Sequence, residues 1–139
     1  MTTALITGID GQDGSCLAEL LIKDSCNVVG VAKPDEPLRN IDPAKTVLNL
    51  QSIDLCDAPA LAELIARIKP DQLYHLGAPS FVATDPSEDH QILEAITLGT
   101  QAVLSAVADG APACRVFLAG SSEMFGAPDK APQNEATAF

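Results

Sequence analysis

Short apolar runs alternate with amphipathic stretches from the beginning of the chain. The first run is β-rich and extends from Thr3 to Thr7, where Gly8 stops it. The leucines that follow recur at the spacing of a helix, at Leu17, Leu20 and Leu21. This pattern predicts a strand that leads into a helix. Four more strands are predicted at Asn27 to Ala32, Val47 to Asp54, Gln72 to Gly77 and Arg115 to Ala119.

Two later stretches have the apolar spacing of helices. The first follows Asp57, which is well placed to cap it, and ends at Pro70. Its apolar stripe is Leu61, Leu64, Ile65 and Ile68. The stripe of the second is Ile92, Ile96, Gly99, Val103 and Val107, and Gly110 with Pro112 ends it. From Gly120 to Phe139 the chain is rich in Gly, Pro and small polar residues and is predicted to be loop.

The order of these elements predicts the fold class. Strands that alternate with helices and are buried on both faces pair in parallel, through right-handed crossovers. We therefore predict a doubly wound parallel α/β sheet of the Rossmann type, with five strands in one domain over residues 1–139. A length of 139 residues with 47% apolar residues fits one compact domain.

The charge balance narrows the classes of partner. Eight basic and nineteen acidic side chains give a net charge of −11, a field that repels phosphate backbones. We therefore expect no nucleic-acid partner. The apolar runs are too short for a membrane span, and Met1-Thr2-Thr3 lacks the basic region of a secretory signal. A cytoplasmic protein without a membrane partner is expected.

The cysteines and histidines show no metal-ligand spacing. Cys16, Cys26, Cys56 and Cys114 form no C-x-x-C pair and are expected to be free thiols that serve in packing. His75 and His90 are not spaced as ligands to each other or to a cysteine. No metal site is predicted.

Three loops are expected to meet at one edge of the sheet, because ligands of doubly wound sheets bind beyond the carboxyl ends of the strands. They are Gly8 to Gly14, Gly77 to Ser80 and Gly120 to Glu123. The first is a G-x-x-G-x-x-G run between a strand and a helix. Its glycines permit a tight turn and let the backbone approach a pyrophosphate at the helix N-terminus. A glycine-rich turn without a ligand is the alternative.

Two residues at strand ends bear on the choice of dinucleotide. Lys33 stands where an acid would bind the adenosine ribose of NAD, with Arg39 a little further on. A cation suits a 2′-phosphate, so NADP is predicted over NAD, although Lys33 could be a solvated loop lysine and Asp35 lies nearby. Asp54 could accept from the adenine amino group or, equally well, cap its strand.

Three segments resemble the extended branch of the short-chain dehydrogenase/reductase superfamily. They are Gly8 to Ser15, Tyr74 to Ala78 and Gly120 to Gly126, of which the last, Gly-Ser-Ser-Glu-Met-Phe-Gly, is the most specific. Within that branch the whole chain is most similar to the GDP-mannose 4,6-dehydratases, whose first loop resembles the run from Ile6 to Leu17.

The resemblance implies an internal redox elimination on a nucleotide sugar, with GDP-mannose as the first candidate. Hydride passes from sugar C4 to NADP, water leaves across C5 and C6, and the hydride returns to C6. By the family pattern Glu123 is the base at C5, Ser121 hydrogen-bonds the C4 hydroxyl, and Ser122 lines the substrate site. The C4 ketone acidifies the C5 proton, so a carboxylate within hydrogen-bonding reach can remove it.

The resemblance also implies a set of cofactor contacts. Those to the pyrophosphate are Gly8, Ile9, Gly11, Gln12 and Asp13; those to the adenine are Asp54 and Leu55; those near the nicotinamide are Leu76, Gly77, Ala78 and Ser80. The sequence departs from the family pattern at one position beside the pyrophosphate contacts. Asp10 stands where the family usually has threonine, and a carboxylate beside a pyrophosphate adds repulsion unless it points to solvent.

The superfamily's Tyr-x-x-x-Lys pair, which takes a proton from the substrate hydroxyl, is absent from this sequence. Tyr74 is the only tyrosine, and Ala78 follows it at the lysine position. In relatives the pair comes shortly after a segment like Glu135 to Phe139. We therefore expect an N-terminal cofactor-binding portion that is inactive alone. Its fifth strand would be a sheet edge with bare apolar surface, so the isolated chain is expected to self-associate, as a homo-oligomer, or to be less stable than an intact homologue.

Two alternatives remain at this point. One is a stand-alone module that binds NADP and catalyses nothing. The other is a nucleotide-sugar epimerase or reductase, which would keep the cofactor and omit the elimination.

Overall fold

In the residues that the structure describes, five strands and three α-helices follow one another in the predicted order. The computed structural model describes residues 1–42, 48–78, 86–128 and 131–138, and for residues 86–91, 95, 122 and 123 it describes the backbone only. The elements are β1 (Thr3–Thr7), α1 (Gln12–Lys23), β2 (Asn27–Ala32), β3 (Asn49–Ser52), α2 (Ala58–Ile68), β4 (Gln72–His75), α3 (Pro86–Gly110) and β5 (Arg115–Leu118), followed by a 3-10 helix (Ser122–Phe125).

The strands form one sheet in the order β3-β2-β1-β4-β5, with every pair parallel. Leu5 of β1 pairs with Val29 of β2 on one side and with Leu73 of β4 on the other. The direction of winding therefore reverses between β1 and β4. The doubly wound, Rossmann-type fold class is confirmed.

Helices α2 and α3 pack together on one face of the sheet. The Asp57 side chain caps α2 as predicted, because its Oδ1 accepts from the Ala60 amide at 3.1 Å. The core of this layer consists of twelve buried residues: Leu5, Val29, Val31, Leu61, Leu64, Ile65, Leu73, Ala102, Val103, Ala106, Val107 and Ala111. Burial of these side chains is the main stabilisation of this half of the domain.

Helix α1 covers β1 and β2 on the other face, and it does so through small residues. Gly14, Ser15 and Ala18 are its buried positions. Leu20, one of the leucines whose spacing predicted this helix, is 59% exposed. Because small side chains let α1 approach the strands closely, the larger leucines are displaced to its flanks.

The strands end earlier than the apolar runs suggest, because each parallel ladder ends where its partner ends. Ser52 pairs with Ala32, the last residue of β2, so β3 stops short of the predicted Asp54; its predicted start at residue 47 lies outside the described residues. Likewise, β4 stops at His75, which pairs with Thr7 at the end of β1, and not at the predicted Gly77.

The long helix α3 is less buried than its apolar stripe predicts. Val103 and Val107 are buried, but Ile96 is 41% exposed. In the part of the chain that the structure describes, one segment, Ile92–Gly110, is long and apolar enough to cross a membrane. A helix that packs against α2 and the sheet passes the same test, so this is weak support for a membrane span.

Strand β5 is an edge, as predicted, and carries exposed apolar side chains. Phe117 is 54% exposed and Leu118 is 40% exposed. Phe117 contacts Tyr74 of β4, with ring centroids 6.3 Å apart. The residues after β5 are not all loop, since the 3-10 helix follows at Ser122–Phe125.

All four cysteines are free thiols, as expected, but they do not all pack. Cys16 and Cys56 are exposed, while Cys26 and Cys114 are half-buried. The predicted packing role is therefore wrong for the first two, because Cys16 lies on the outer side of α1 and Cys56 lies in the turn before α2.

Candidate functional site

A cavity of about 460 Å³ opens at the carboxyl edge of the sheet, beside the point where the winding reverses. The loops that follow β1, β2, β3 and β4 contribute to its wall. Its lining residues are Gly8, Asp10, Val31, Ala32, Lys33, Glu36, Ile53, Asp54, Leu55, Cys56, Gly77 and Ala78. Its position is the one at which doubly wound sheets bind their ligands.

The loop after β1 has no room for a side chain at Gly8 or at Gly14. Gly8 has a φ of +70°, and a Cβ added there would lie 2.6 Å from the Gly77 Cα. A Cβ on Gly14 would lie against the Gly8 carbonyl oxygen. The loops after β1 and β4 are therefore in direct backbone contact, and α1 begins tightly against the first of them.

Helix α1 begins with its first-turn amides available to a ligand. Gly11 is the N-cap, and no side chain caps the helix. The Gly11 amide donates to the Gly8 carbonyl at 3.1 Å, which fixes the loop, and the Gly11 carbonyl accepts from Ser15 at 3.0 Å. Bare glycine backbone and the positive end of a helix dipole fit a pyrophosphate.

At the end of β2, the cation predicted to select NADP is already paired. Lys33 Nζ lies 2.9 Å from Glu36 Oε1, and both residues line the cavity. The hydrogen bond and charge of Glu36, with a smaller contribution from Asp54, raise the pKa of Lys33. Glu36 was missed in the sequence, although its place three residues after Lys33 across a proline turn was a usable signal.

Asp54 has the capping role that its position allowed, and it also faces the cavity. Its Oδ1 accepts from the Cys56 amide at 2.8 Å, so it does cap the end of the strand segment. It also lines the cavity, as does Leu55. Leu55 supports the opposite wall as well, because a Cβ on Gly77 would lie 2.6 Å from its Cδ1. Leu55 thus connects the turn before α2 to the loop after β4.

A buried polar network below the cavity was not predicted. The Thr7 hydroxyl lies 2.8 Å from His75 Nδ1 and accepts from the Gly77 amide at 3.3 Å. On its other side, His75 Nε2 lies 3.3 Å from the Thr100 hydroxyl of α3. A neutral imidazole, with one donor and one acceptor, satisfies both hydroxyls. The network thus ties Gly77, a cavity residue, to β1 and α3.

This network predicts a pH dependence of stability. Burial lowers the pKa of His75, so between that value and about 6.5 the folded chain binds fewer protons than the unfolded chain. The contribution of neutral His75 to the free energy of unfolding is therefore fully present above about pH 6.5. It is lost as the pH falls from there toward the lowered pKa of the folded chain. We expect the free energy of unfolding, measured with urea from pH 7.5 to 5.5, to fall with pH in the native chain. The slope should be smaller in His75→Asn.

The other histidine provides the control. His90→Asn should keep the slope of the native chain, because His75 remains. Equal slopes in the native chain and His75→Asn would contradict the role given to the network.

The structure brings some of the predicted site residues together at the cavity and leaves others apart. Gly8, Lys33, Asp54, Leu55, Gly77 and Ala78 line it. Gly11, Gln12 and Asp13 are exposed at the start of α1, outside the lining. The Ile9 side chain is completely buried, so Ile9 could offer only backbone to a ligand, whereas Leu76 is partly buried against the α1 layer. Ser80 lies outside the described residues.

The predicted catalytic segment follows β5 at the same edge of the sheet. The Ala119 amide donates to the His75 carbonyl at 3.2 Å, so the chain leaves β5 beside the end of β4. Ser121, whose carbonyl accepts from the Met124 amide at 3.2 Å, comes directly before the 3-10 helix that contains Ser122 and Glu123. The backbone therefore places the start of this segment beside the end of β4, at the carboxyl edge of the sheet.

Comparison with known proteins finds similarity to a single family over almost the whole chain. The family model for GDP-mannose 4,6 dehydratase matches residues 5–139. GDP-mannose 4,6 dehydratase 2 of Arabidopsis thaliana is 37% identical over 98% of this chain, and GDP-mannose 4,6-dehydratase of Yersinia enterocolitica is 34% identical over 100% of it. The chain spans 40% of the length of each of these relatives.

Among solved structures, the Bordetella bronchiseptica enzyme WbmH has a similar fold. Its structure, which contains NAD+, superposes with a TM-score of 0.81 at 25% identity, over 96% of this chain and 44% of that one. The cavity described above thus occurs in a fold that, in this relative, holds a dinucleotide.

Proposed function

Since this chain belongs to the GDP-mannose 4,6-dehydratase family, whose model it matches over residues 5–139, we propose that it is the dinucleotide-binding portion of a nucleotide-sugar 4,6-dehydratase. The observation that carries the proposal is the cavity lined by the loops that follow β1, β2, β3 and β4. It lies beside an uncapped helix N-terminus and a backbone turn that only glycine permits.

Residues at the cavity would hold NADP, or NAD, in an extended position along the sheet edge. The backbone from Gly8 to Asp13 would bind the pyrophosphate at the start of α1, with Ile9 contributing backbone only. Lys33 would meet the adenosine 2′ position, and Asp54 with Leu55 would hold the adenine. Leu76, Gly77, Ala78 and Ser80 would flank the nicotinamide.

The segment after β5 would supply the proton chemistry. When bound, the dinucleotide supplies a hydride acceptor for sugar C4 and a donor for C6. Glu123 would remove the C5 proton, Ser121 would hydrogen-bond the C4 hydroxyl, and Ser122 would line the substrate site. A carboxylate in this position acts by general-base catalysis, and its efficiency depends on being held close to that proton.

The substrate, the cellular location and the oligomeric state are part of the same proposal. GDP-mannose is the proposed nucleotide sugar, because the relatives in the comparison are named for it. A cytoplasmic homo-oligomer is proposed, with the exposed apolar side chains of β5 as one surface available for association. The family match favours the dehydratase over an epimerase or reductase.

A second candidate, a module that binds dinucleotide and catalyses nothing, is favoured by one feature. The 139 residues contain no Tyr-x-x-x-Lys pair. An enzyme fragment and a dedicated binding module would both bind dinucleotide without turnover when tested alone. A chimera in which residues 1–139 replace the matching part of a relative separates them, because only the enzyme fragment would support formation of product.

Binding and turnover of the 139-residue chain test the proposal together. We expect saturable binding of NADPH, measured by its fluorescence, and no formation of 4-keto-6-deoxy sugar from GDP-mannose and NADP. Yersinia enterocolitica GDP-mannose 4,6-dehydratase is the positive control for turnover. Failure of the folded chain to bind either NADPH or NADH would refute the proposal, and turnover by the chain alone would refute the role given to the missing pair.

A further inference from the structure

The turn that follows β2 is built to hold an acid against the lysine at the cavity wall. Pro34 fixes its own φ, and Asp35 adopts a φ of 61°, a combination typical of a type II turn. Such a turn places its first and fourth residues side by side. Here these are Lys33 and Glu36, which form the 2.9 Å ion pair.

The local charge is therefore unfavourable for an additional phosphate. Among the described lining residues, Lys33 is the one cation, whereas Asp10, Glu36 and Asp54 are carboxylates. The pKa of Lys33 is raised by Glu36 and Asp54, which is consistent with a cation already in the field of two acids. Arg39 is exposed and does not line the cavity.

We propose that Glu36 is a specificity-determining residue, which neutralises Lys33 and thereby reduces the preference for NADP over NAD. This inference rests on the proposed dinucleotide site. NADP differs from NAD by a 2′-phosphate, which carries between one and two negative charges at neutral pH. Next to Lys33 it would meet the ammonium and the Glu36 carboxylate at once. With NAD, the same carboxylate can accept a hydrogen bond from the ribose hydroxyl.

The size of the effect is limited by exposure. The side chains of Lys33 and Glu36 are 64% and 53% exposed, so water and salt screen the pair. Glu36→Gln should therefore raise the ratio of NADP affinity to NAD affinity by roughly three- to tenfold at low salt, and by less at high salt.

The experiment measures dissociation constants of NADP and NAD by calorimetry for the 139-residue chain and its variants, at low and high salt. Glu36→Gln should raise the ratio, and Glu36→Lys should raise it further. In the double variant Lys33→Gln, Glu36→Gln the gain should disappear, because it depends on the released lysine. Glu63→Gln, an exposed site on α2, controls for the change in net charge.

The outcomes separate the two claims. A ratio unchanged within twofold in both Glu36 variants, with both dinucleotides still bound, would overturn this inference and leave the proposed function standing. A gain that persists in the double variant would overturn the part assigned to Lys33. Absence of binding of either dinucleotide to any of the folded chains would overturn the proposed function and this inference with it.

Discussion

Replacing Gly14 with alanine is expected to lower the free energy of unfolding by about 2–4 kcal/mol and to weaken dinucleotide binding by roughly two orders of magnitude. The added Cβ would lie against the Gly8 carbonyl oxygen and 2.9 Å from the Ile9 Cα. Both are backbone atoms and cannot rotate away. Helix α1 would therefore have to move away from the loop, and its N-terminus would leave the pyrophosphate position.

Gly120→Ala is the matched control for this variant. Its Cβ would meet first the Met124 sulfur, at 3.4 Å, which belongs to a flexible side chain. Urea unfolding and NADPH titration of the two variants give the comparison. Gly14→Ala with native stability and native affinity would show that α1 does not need to lie so close to the loop.

Replacing Glu123 with glutamine is expected to reduce elimination by roughly 10²- to 10⁴-fold, the usual contribution of a general base. The chain spans 40% of the length of the Yersinia enterocolitica enzyme. The variant is therefore best examined in a chimera in which residues 1–139 replace the matching part of that enzyme. Glutamine keeps the size of the side chain and removes its basicity. Formation of the 4-keto-6-deoxy sugar is measured, together with NADPH binding, which should not change.

That comparison requires that the parent chimera be active. The control variant is Glu135→Gln, because Glu135 is an exposed carboxylate later in the chain. If Glu123→Gln retained more than half of the activity of the parent chimera, Glu123 would not be the base. If the parent chimera bound NADPH but formed no product, the chain would fit the dedicated binding module better.

The fold was predictable because it depends on patterns that are local in the sequence. Asp57 before a helical stripe fixed the start of α2, and the apolar runs gave the positions of the five strands. Boundaries were less predictable, since β3 and β4 end where neighbouring strands end, a property of pairing between distant segments. The buried face of α1 was not predictable from the leucine spacing, because that spacing does not show that Ala18 allows the closer approach to the sheet.

The site was predictable where chemistry needs a particular residue at a fixed place after a strand. The glycine loop met that condition, and Lys33, Asp54 and Gly77 do line the cavity. The contacts that hold these residues in place or alter their charge were not predictable. Thr7 and His75 are 68 positions apart and meet only because β1 and β4 are neighbours in the sheet.

The Lys33–Glu36 pair shows a different limit. Lys33 and Glu36 are three positions apart, but their pairing depends on Asp35 adopting a positive φ, which is uncommon for any residue other than glycine. The cation that suggested NADP in the sequence is therefore partly neutralised in the structure.

Amide chemical-shift mapping of the folded 139-residue chain during titration with NADP tests the central claim most directly. Binding at the carboxyl edge of the sheet should shift the amides from Gly11 to Gly14 first, together with those of Lys33 and Gly77, along one saturable curve. A saturated titration that leaves these amides unmoved, or that shifts only residues remote from the start of α1, would contradict the account.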